Sequence, residues 1–404
     1  MPNRRTFLKV LVSGFTMTGP DLLTPRFLHA GELPSGAAES TVREALSGKG
    51  PLIKRTFRPP NFETPVEVFK DVVTPNRRFF VRWHLANIPR LVAENWRLKV
   101  GGDSVAHPFE LSLNQLKREF APVELMAVCQ CAGHRRRFSE PHVPGVQWGN
   151  GAVGNARWKG VRLKDVLARA GLRPDALEVV FDGADYGAID RTPDFVKSLP
   201  LWKALDENTL IAYQMNGEDL PHWNGFPVRL VVPGWAGTYW TKQLIAIRAM
   251  PKPEKGFWMN TAYRIPAGKF PVTDRFLSQK GEADTAITEI LVNSLITNIE
   301  EGQHCPLGRP VMVKGVAWDG GHGIRSVEVS VDGGKAWQEA KLEPHQGRFS
   351  FRAWHYTFTP SRTGKQVLMA KATDGRGSTQ PFELIFNPAG YYNNVVQGIT
   401  VEVA

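Results

Sequence analysis

The chain has 404 residues, which is too many for one ordinary hydrophobic core and indicates two or three domains. Lysine and arginine exceed aspartate and glutamate by 50 − 39 = 11, but the basic residues are scattered, which argues against nucleic-acid binding. The three cysteines form no C-x-x-C pair and no C-x-x-C-H, which excludes a disulfide framework, a structural zinc site and covalent c-type haem on this sequence.

The first 30 residues have the pattern of a twin-arginine export signal. Residues 3–9 read N-R-R-T-F-L-K, and the mildly apolar run 10–17 that follows is too short to span a bilayer. We expect cleavage near Ala30, export of the folded protein to the periplasm, and no membrane span in the mature protein.

Compact sequence is expected from about residue 65 onward. Residues 31–65 are rich in glycine, proline, serine and charge, so we expect them to cover the surface without a core of their own. Ser112 and Gln115 then have the spacing of a capping box, which predicts a short helix that ends before Pro122.

A strand that carries two cysteines is predicted next. Residues 123–131 are an apolar run, and because side chains alternate along a strand, Cys129 and Cys131 would share one face. Residues 128–137 read V-C-Q-C-A-G-H-R-R-R, and positive charge near a cysteine lowers its pKa. We therefore interpret Cys131 as a thiolate that serves as a soft-metal ligand or nucleophile, and Cys129 as a packing residue.

An α+β fold is predicted from the elements that follow. Residues 163–170 have the apolar period of an amphipathic helix, and the runs 177–181 and 227–233 predict buried strands. Beyond about residue 271 only short alternating strands and turns occur, which is typical of an immunoglobulin-like β-sandwich. We thus divide the chain into a signal (1–30), a mixed α/β domain (31–270) and a β-sandwich (271–404).

Two motifs resemble those of the sulfite oxidase family of molybdenum enzymes. The family's C-A-G-N-R-R signature is similar to residues 131–136, although His134 stands where the family has asparagine. Its W-G-x-G-A-x-x-x-A-R-W-x-G-x-R-L-x-D-V-L motif is similar to residues 148–167. The resemblance implies a mixed α/β molybdopterin-binding domain followed by an immunoglobulin-like dimerisation domain, with Cys131 as the protein ligand of molybdenum.

Further motifs imply which residues bind the cofactor. Residues 79–85 (F-F-V-R-W-H-L) are similar to the family's F-x-R-N-H-L, and residues 225–234 are similar to its G-F-P-V-R-x-V-V-P-G. A family histidine is common at position 224, where this chain has asparagine, and His222 lies two residues earlier. The cofactor-binding residues implied by the resemblance are Phe80, Val81, Arg82, Trp83, His84, Asp185, Asn224, Arg229, Trp240, Thr241 and Lys242.

Three residues are implied in substrate binding and catalysis. Arg82 would bind an oxyanion near the metal, and Tyr263 stands in the place of the family's active-site tyrosine. Residues 351–354 (F-R-A-W) resemble the W-R-L-W that the family's second domain inserts into the active site. We therefore expect Arg352 to complete a cationic pocket.

The resemblance implies a periplasmic, haem-free sulfite dehydrogenase that forms a homodimer. It would oxidise sulfite to sulfate at molybdenum-molybdopterin and pass the electrons to a separate c-type cytochrome. One alternative is the molybdenum subunit of a thiosulfate-oxidising complex that acts on protein-bound sulfane sulfur. A sulfoxide reductase is less compatible with the second β-domain, and a secreted non-enzymatic binding protein would contain no molybdenum.

Overall fold

A computed structural model describes residues 42–404, which form one compact unit. The predicted export signal, with its twin arginines at positions 4 and 5, lies outside the described residues. In the described part of the chain, every helix is too short or too polar to cross a membrane.

The described chain begins with a small antiparallel sheet, in the order β1-β2-β3-β4. Its strands are β1 (Arg43–Ala45), β2 (Pro51–Thr56), β3 (Asn61–Glu63) and β4 (Val81–Arg82). Leu52 and Phe62 are fully buried against Val81 and Trp83. Residues 42–65 therefore form strands and do not only cover the surface, but their few apolar side chains are buried against residues far ahead in the sequence and form no core of their own.

The mixed α/β domain contains two larger sheets, in the orders β10-β9-β14-β5-β6 and β12-β11-β8-β7, with β13 paired to β11. All neighbouring strands are antiparallel except β5 and β14. Its strands and helices are, in chain order, β5 (Arg97–Gly101), β6 (Phe109–Ser112), α1 (Leu113–Glu119), β7 (Pro122–Gln130), β8 (Val153–Arg162), α2 (Leu163–Ala170), β9 (Glu178–Gly183), β10 (Lys197–Pro200), α3 (Leu201–Ala204), β11 (Leu210–Met215), β12 (Glu218–Asp219), β13 (Arg229–Val231), β14 (Leu244–Met250) and α4 (Phe257–Asn260).

The two longer helices have the local signals that predicted them. At the start of α1, the Gln115 amide donates to Ser112 Oγ (3.2 Å) and the Ser112 amide donates to Gln115 Oε1 (2.9 Å). Helix α2 ends at Gly171, whose φ of +66° is readily adopted by glycine. Both helix predictions are confirmed.

The second part of the chain is a β-sandwich, as predicted. Its sheets have the orders β17-β19-β23-β22 and β18-β25-β24-β20-β21. A short ribbon of β15 and β16 precedes it and pairs across the boundary predicted at residue 270, so that boundary stays a prediction. The strands are β15 (Arg264–Pro266), β16 (Asp284–Ala286), β17 (Asn293–Ile296), β18 (Gln303–Cys305), β19 (Val311–Trp318), β20 (Ile324–Ser330), β21 (Gln338–Glu339), β22 (Lys341–Leu342), β23 (Arg352–Phe358), β24 (Gly364–Asp374) and β25 (Gln397–Val403).

Both sheets of the sandwich contribute to one apolar core. Trp354 of β23 packs in this core with Val327 of β20, Leu368 of β24 and Val401 of β25, and all four are almost completely buried. Side chains from two facing sheets thus form the core, which is the arrangement expected of an immunoglobulin-like unit.

Candidate functional site

A pocket lies where the end of β7 meets β4, β13 and the segment that follows β13. Its volume is about 510 Å³, which includes the mouth that is open to solvent. Nine of the predicted site residues line it: Phe80, Arg82, His84, Cys131, Asn224, Arg229, Trp240, Lys242 and Tyr263. Residues from distant motifs therefore meet at one cavity.

Cys131 directly follows β7 and faces this pocket together with Cys129, as strand alternation predicts. The Cys131 amide donates to the carbonyl of Ala152 (2.9 Å), and the side chain is buried with 7% exposure. Burial raises the pKa of the Cys129 thiol to about 11 although the guanidinium of Arg229 lies nearby. Cys129 is therefore a neutral thiol in the pocket wall.

The loop after Cys131 rests on a buried carboxylate from β3. Glu63 accepts hydrogen bonds from the amides of Gly149 (2.8 Å) and Gly151 (2.9 Å) and from Nε of Arg55 (2.8 Å). A Cβ atom at Gly151 would lie 1.7 Å from the carbonyl oxygen of Thr64, so only glycine fits there. The glycines of the W-G-x-G motif thus allow the N-terminal sheet to approach this loop.

The arginines after Cys131 face the C-terminal segment rather than the pocket. Arg135 donates through Nη1 to the carbonyl of Val395, and Arg136 donates through Nε to the carbonyl of Ala389 (2.9 Å). The Arg136 guanidinium also lies 5.3 Å from the ring centroid of Tyr391. These two arginines therefore fasten the loop after Cys131 to the C-terminal segment, and neither lines the pocket.

Arg82, His84 and Tyr263 form a group on one side of the pocket. The Tyr263 hydroxyl and His84 Nε2 form a hydrogen bond, and the His84 ring stacks on Phe195 with ring centroids 3.6 Å apart. Burial, and then the charge of Arg82, hold the pKa of His84 well below its usual range. Burial raises the pKa of Tyr263, so the pair consists of a neutral imidazole and a protonated phenol at neutral pH.

The backbone of Tyr263 adopts an uncommon conformation. Its φ is +59°, in the left-handed region that costs a non-glycine residue of the order of 1–3 kcal/mol. The ring lies parallel to that of Tyr391, with an angle of 9° between them and 5.4 Å between centroids. Packing against the C-terminal segment therefore holds a strained residue in the pocket wall.

A second group of charged residues lines the same pocket. Arg229 is buried and donates to the backbone carbonyls of Asn224 (2.9 Å) and Trp240 (3.1 Å). The ammonium group of Lys242 lies 4.2 Å from the ring centroid of Trp83. Burial, and then the charge of Arg229, lower the pKa of Lys242.

The remaining predicted cofactor residues lie behind the pocket wall. Val81 is buried in the core of the N-terminal sheet, and Trp83 donates through Nε1 to the carbonyl of Trp223 (3.1 Å). Thr241 is buried next to Lys242. Burial raises the pKa of Asp185, and the nearby Lys242 acts in the opposite direction. These four side chains support the pocket rather than line it.

The structure does not bring Arg352 to the pocket. Arg352 begins β23 and pairs with Ala317 of β19. The preceding Phe351 is buried between the sandwich and the α/β domain, and strand alternation turns Arg352 to the other face. The predicted second cationic residue therefore does not line the pocket, and the second domain instead contacts Tyr263, Arg135 and Arg136 through residues 387–396.

Sequence analysis did not identify several residues that line the pocket or lie next to it. Phe195, Trp223 and Thr238 line the pocket, and Lys49 lies behind Asn224. Thr238 lies two residues before Trp240, so the motif around Trp240 could have indicated it. Trp223 directly precedes Asn224 and could have been indicated in the same way, whereas Phe195 and Lys49 carry no local signal because only long-range packing brings them close to the pocket.

The donor set fits a cofactor that carries a thiolate-bound metal and an anionic group. Arg82, Arg229 and Lys242 face the pocket, and no aspartate or glutamate is among the described residues that line it. Burying cations without a counter-ion is unfavourable, and a phosphate held there would offset that cost. Cys131 supplies a single soft ligand of the kind that molybdenum takes in addition to a dithiolene.

Two family models match the chain. Residues 84–258 match the model described as oxidoreductase molybdopterin binding domain, and residues 284–404 match the Mo-co oxidoreductase dimerisation domain.

Relatives and one solved structure agree with these matches. Mitochondrial sulfite oxidase of Homo sapiens is 35% identical over 370 residues, covering 86% of this chain and 65% of that protein. Sulfite oxidase of Gallus gallus is 35% identical over 339 residues, covering 80% and 72%. The chain thus spans about two thirds of the length of such relatives. The sulfane dehydrogenase SoxCD from Paracoccus pantotrophus has the same fold, with a TM-score of 0.73 and 24% identity over 96% of this chain and 94% of that chain.

Proposed function

Because this chain belongs to the sulfite oxidase family of molybdopterin enzymes, we propose that it oxidises sulfite to sulfate and passes the electrons to a separate c-type cytochrome. The observation that supports this most is the pocket itself, which brings Cys131 together with Arg82, His84, Tyr263, Arg229 and Lys242. The cations suit an oxyanion substrate and the anionic end of the pterin.

The residues of the chain have distinct roles in this reaction. Cys131 would hold molybdenum, and Arg229 and Lys242 would hold the pterin. When bound, the molybdenum centre supplies oxygen-atom transfer and the two-electron redox change. Arg82 binds and orients the sulfite oxyanion through charge-assisted hydrogen bonds.

Tyr263 and His84 form a hydrogen-bonded pair beside the proposed position of the substrate. Oxidation of sulfite takes up one oxygen atom from water and releases protons. The Tyr263 hydroxyl holds a proton next to the pocket, and the neutral ring of His84 is its hydrogen-bond partner. Phe195, stacked on His84, keeps bulk water away from this pair.

We further propose a periplasmic homodimer. The twin arginines at positions 4 and 5 support export, and the match of residues 284–404 to a dimerisation domain supports the dimer. A separate cytochrome is proposed because the printed sequence contains no C-x-x-C-H for covalent haem.

A second candidate substrate is a sulfane sulfur carried by a partner protein. One observation favours it. Arg352 lies away from the pocket, so the pocket has one cation fewer for binding free sulfite than the sequence predicts. The aromatic side chains of Phe195, Trp223 and Tyr263 in the pocket wall would suit a less charged sulfur group.

The experiment is sulfite turnover with ferricyanide, expressed per bound molybdenum, for Arg82→Met and Arg352→Met. Loss of one charge-assisted contact of about 1.5–3 kcal/mol raises the KM for sulfite about ten- to a hundredfold in Arg82→Met. Arg352→Met is the matched control, and its KM stays within about twofold of wild type because the side chain does not face the pocket.

Two results would contradict this account. A raised KM in Arg352→Met with an unchanged KM in Arg82→Met would reverse the assignment of the substrate arginine. Wild-type protein that contains molybdenum, ignores sulfite and oxidises a cysteine persulfide on a carrier peptide would favour the sulfane candidate.

A further inference from the structure

The turn between β1 and β2 reaches the rear of the cofactor pocket. The carbonyl of Ser47 accepts a hydrogen bond from Nε1 of Trp223 (2.9 Å), and the amide of Gly50 donates to the carbonyl of Arg77 (2.9 Å). Trp223 lines the pocket, and residue 77 lies just before the motif at 79–85. This turn therefore contacts the segment that carries Trp223 and the segment that leads into Phe79, and both of these residues line the pocket.

Lys49, within this turn, is a buried cation with three oxygen acceptors. Its Nζ atom donates to the carbonyls of Asn76 (2.6 Å) and Phe79 (3.2 Å) and to Oδ1 of Asn224. The residue is 7% exposed, although lysine is rarely buried without a charged partner. Among the acceptors described for Nζ, none is a carboxylate.

Asn224 is held between two cations. Lys49 donates to its side-chain oxygen, and Arg229 donates to its backbone carbonyl (2.9 Å). The side-chain amide donates one hydrogen to the carbonyl of Phe80 (3.2 Å), which leaves its other hydrogen for a ligand in the pocket. The side chain of Asn224 is thus fixed in one orientation.

The cations at this corner are only partly balanced by the protein, because the carboxylate of Asp185 acts on Lys242 whereas no carboxylate acts on Lys49 or Arg229 among the described residues. Burial, and then the charge of Arg229, lower the pKa of Lys49 to about 7, which means that its cation is poorly stabilised without a nearby anion. Arg229 and Lys242 are also buried at the same corner. A phosphate bound in the pocket would stabilise all three cations.

We propose that Lys49 is a positioning residue for the phosphate group of the pterin cofactor, acting through Asn224. Lys49 fixes the orientation of the Asn224 amide and adds positive charge behind it, so that the pair recognises a phosphate monoester. The inference rests on the proposed function because it requires the molybdopterin cofactor. It also gives the N-terminal sheet a role in holding that cofactor.

The alternative is that Lys49 only fastens the turn to residues 76–79. Both of its backbone acceptors lie in that segment. A purely structural role would make cofactor retention depend on the stability of the sheet and not on the identity of residue 224. The two roles are separated by a second-site substitution, because histidine at position 224 would donate to the phosphate by itself.

The experiment compares wild type, Lys49→Met, Lys49→Arg, and Lys49→Met combined with Asn224→His. Pterin and molybdenum per chain are measured during prolonged dialysis of the purified holoproteins, with urea denaturation of each protein as a check on folding. Lys54→Met is the matched control, since Lys54 lies in the same sheet and pairs with Glu44 at the surface.

Lys49→Met loses pterin about ten- to a hundredfold faster than wild type, as expected when one charge-assisted contact is removed. Lys49→Arg and the double variant retain it within about threefold of wild type, and Lys54→Met behaves like wild type. Pterin retention by Lys49→Met at the wild-type rate overturns the proposal. Equal loss from Lys49→Met, Lys49→Arg and the double variant also overturns it, because charge and position 224 would then be irrelevant.

Pterin retention and urea denaturation are measured without sulfite turnover, so the two proposals can fail separately. Wild type that retains pterin but does not oxidise sulfite would overturn the proposed reaction alone. Wild type that binds no pterin would overturn both.

Discussion

His134 stands where the family signature has asparagine, three residues after the proposed metal ligand. It is 1% exposed, and among residues 42–404 neither ring nitrogen has a hydrogen-bond partner. Burial, and then the charge of Arg135, hold the pKa of His134 well below its ordinary value of 6.5. The folded protein therefore keeps this ring neutral under conditions in which the unfolded chain protonates it.

This difference predicts a loss of stability in acid. Below pH 6.5 the unfolded state binds more protons than the folded state, so the free energy of unfolding falls as pH decreases toward the folded pKa. The contribution of His134 approaches about 1.4 kcal/mol per pH unit. Urea denaturation between pH 7 and pH 5 is expected to give a shallower dependence on pH in His134→Asn than in wild type. Identical slopes in the two proteins would show that His134 is protonated in the folded state.

Residues of several motifs could be brought to one site from the sequence, although a motif did not fix the place of every side chain in it. Arg229 and Lys242 belong to motifs whose spacing indicated a shared site, and both line the pocket. Lys49 carries no such signal, because its acceptors at Phe79 and Asn224 are brought close only by the fold. Arg352 was misplaced because a short motif does not reveal which face of a strand a side chain occupies.

At the level of elements, the N-terminal sheet determines how the loop after Cys131 is held. Glu63 at the end of β3 is 2% exposed and accepts hydrogen bonds from two loop amides and from Arg55. A buried carboxylate of this kind is stable only with such partners. Strand β3 therefore fixes the backbone of residues 149–151, whose neighbour Ala152 accepts the amide hydrogen of Cys131.

Glu63→Ala is expected to lower the free energy of unfolding by about 3–5 kcal/mol, because it leaves a buried guanidinium and two amides without this carboxylate. Chemical denaturation measures the change. The matched control is Glu44→Ala on β1, which breaks a partly exposed pair with Lys54 and costs at most about 1 kcal/mol. Equal losses in both variants would mean that the Glu63 network contributes no more than a surface ion pair.

Elements with local signals were predicted well, and elements stabilised by distant partners were not. The capping box at Ser112 and the glycine at 171 mark the ends of α1 and α2 without reference to the rest of the chain. Strands β1 to β3 are short and polar, and their burial depends on Val81 and Trp83. Their sequence alone therefore resembles that of a surface segment.

At the scale of the whole molecule, the second domain packs against the segments that form the pocket wall. Backbone bonds join Gly234 to Ile290 (2.8 Å) and Ala236 to Thr288 (2.9 Å), next to the segment that carries Thr238 and Trp240. The C-terminal segment adds Asn393, which donates to the carbonyl of Arg135 (3.1 Å). The order of an α/β domain followed by a sandwich was predictable from periodicity, but these contacts between them were not.

The central claim is that Cys131 and the surrounding cations hold a molybdenum-bearing pterin. The most direct measurement is elemental analysis of protein purified from a host that makes molybdopterin, beside a Cys131→Ser variant of unchanged fold. The account predicts about one molybdenum per wild-type chain and no sulfite turnover in Cys131→Ser. Folded wild-type protein without molybdenum, or a Cys131→Ser variant with full activity, would contradict it.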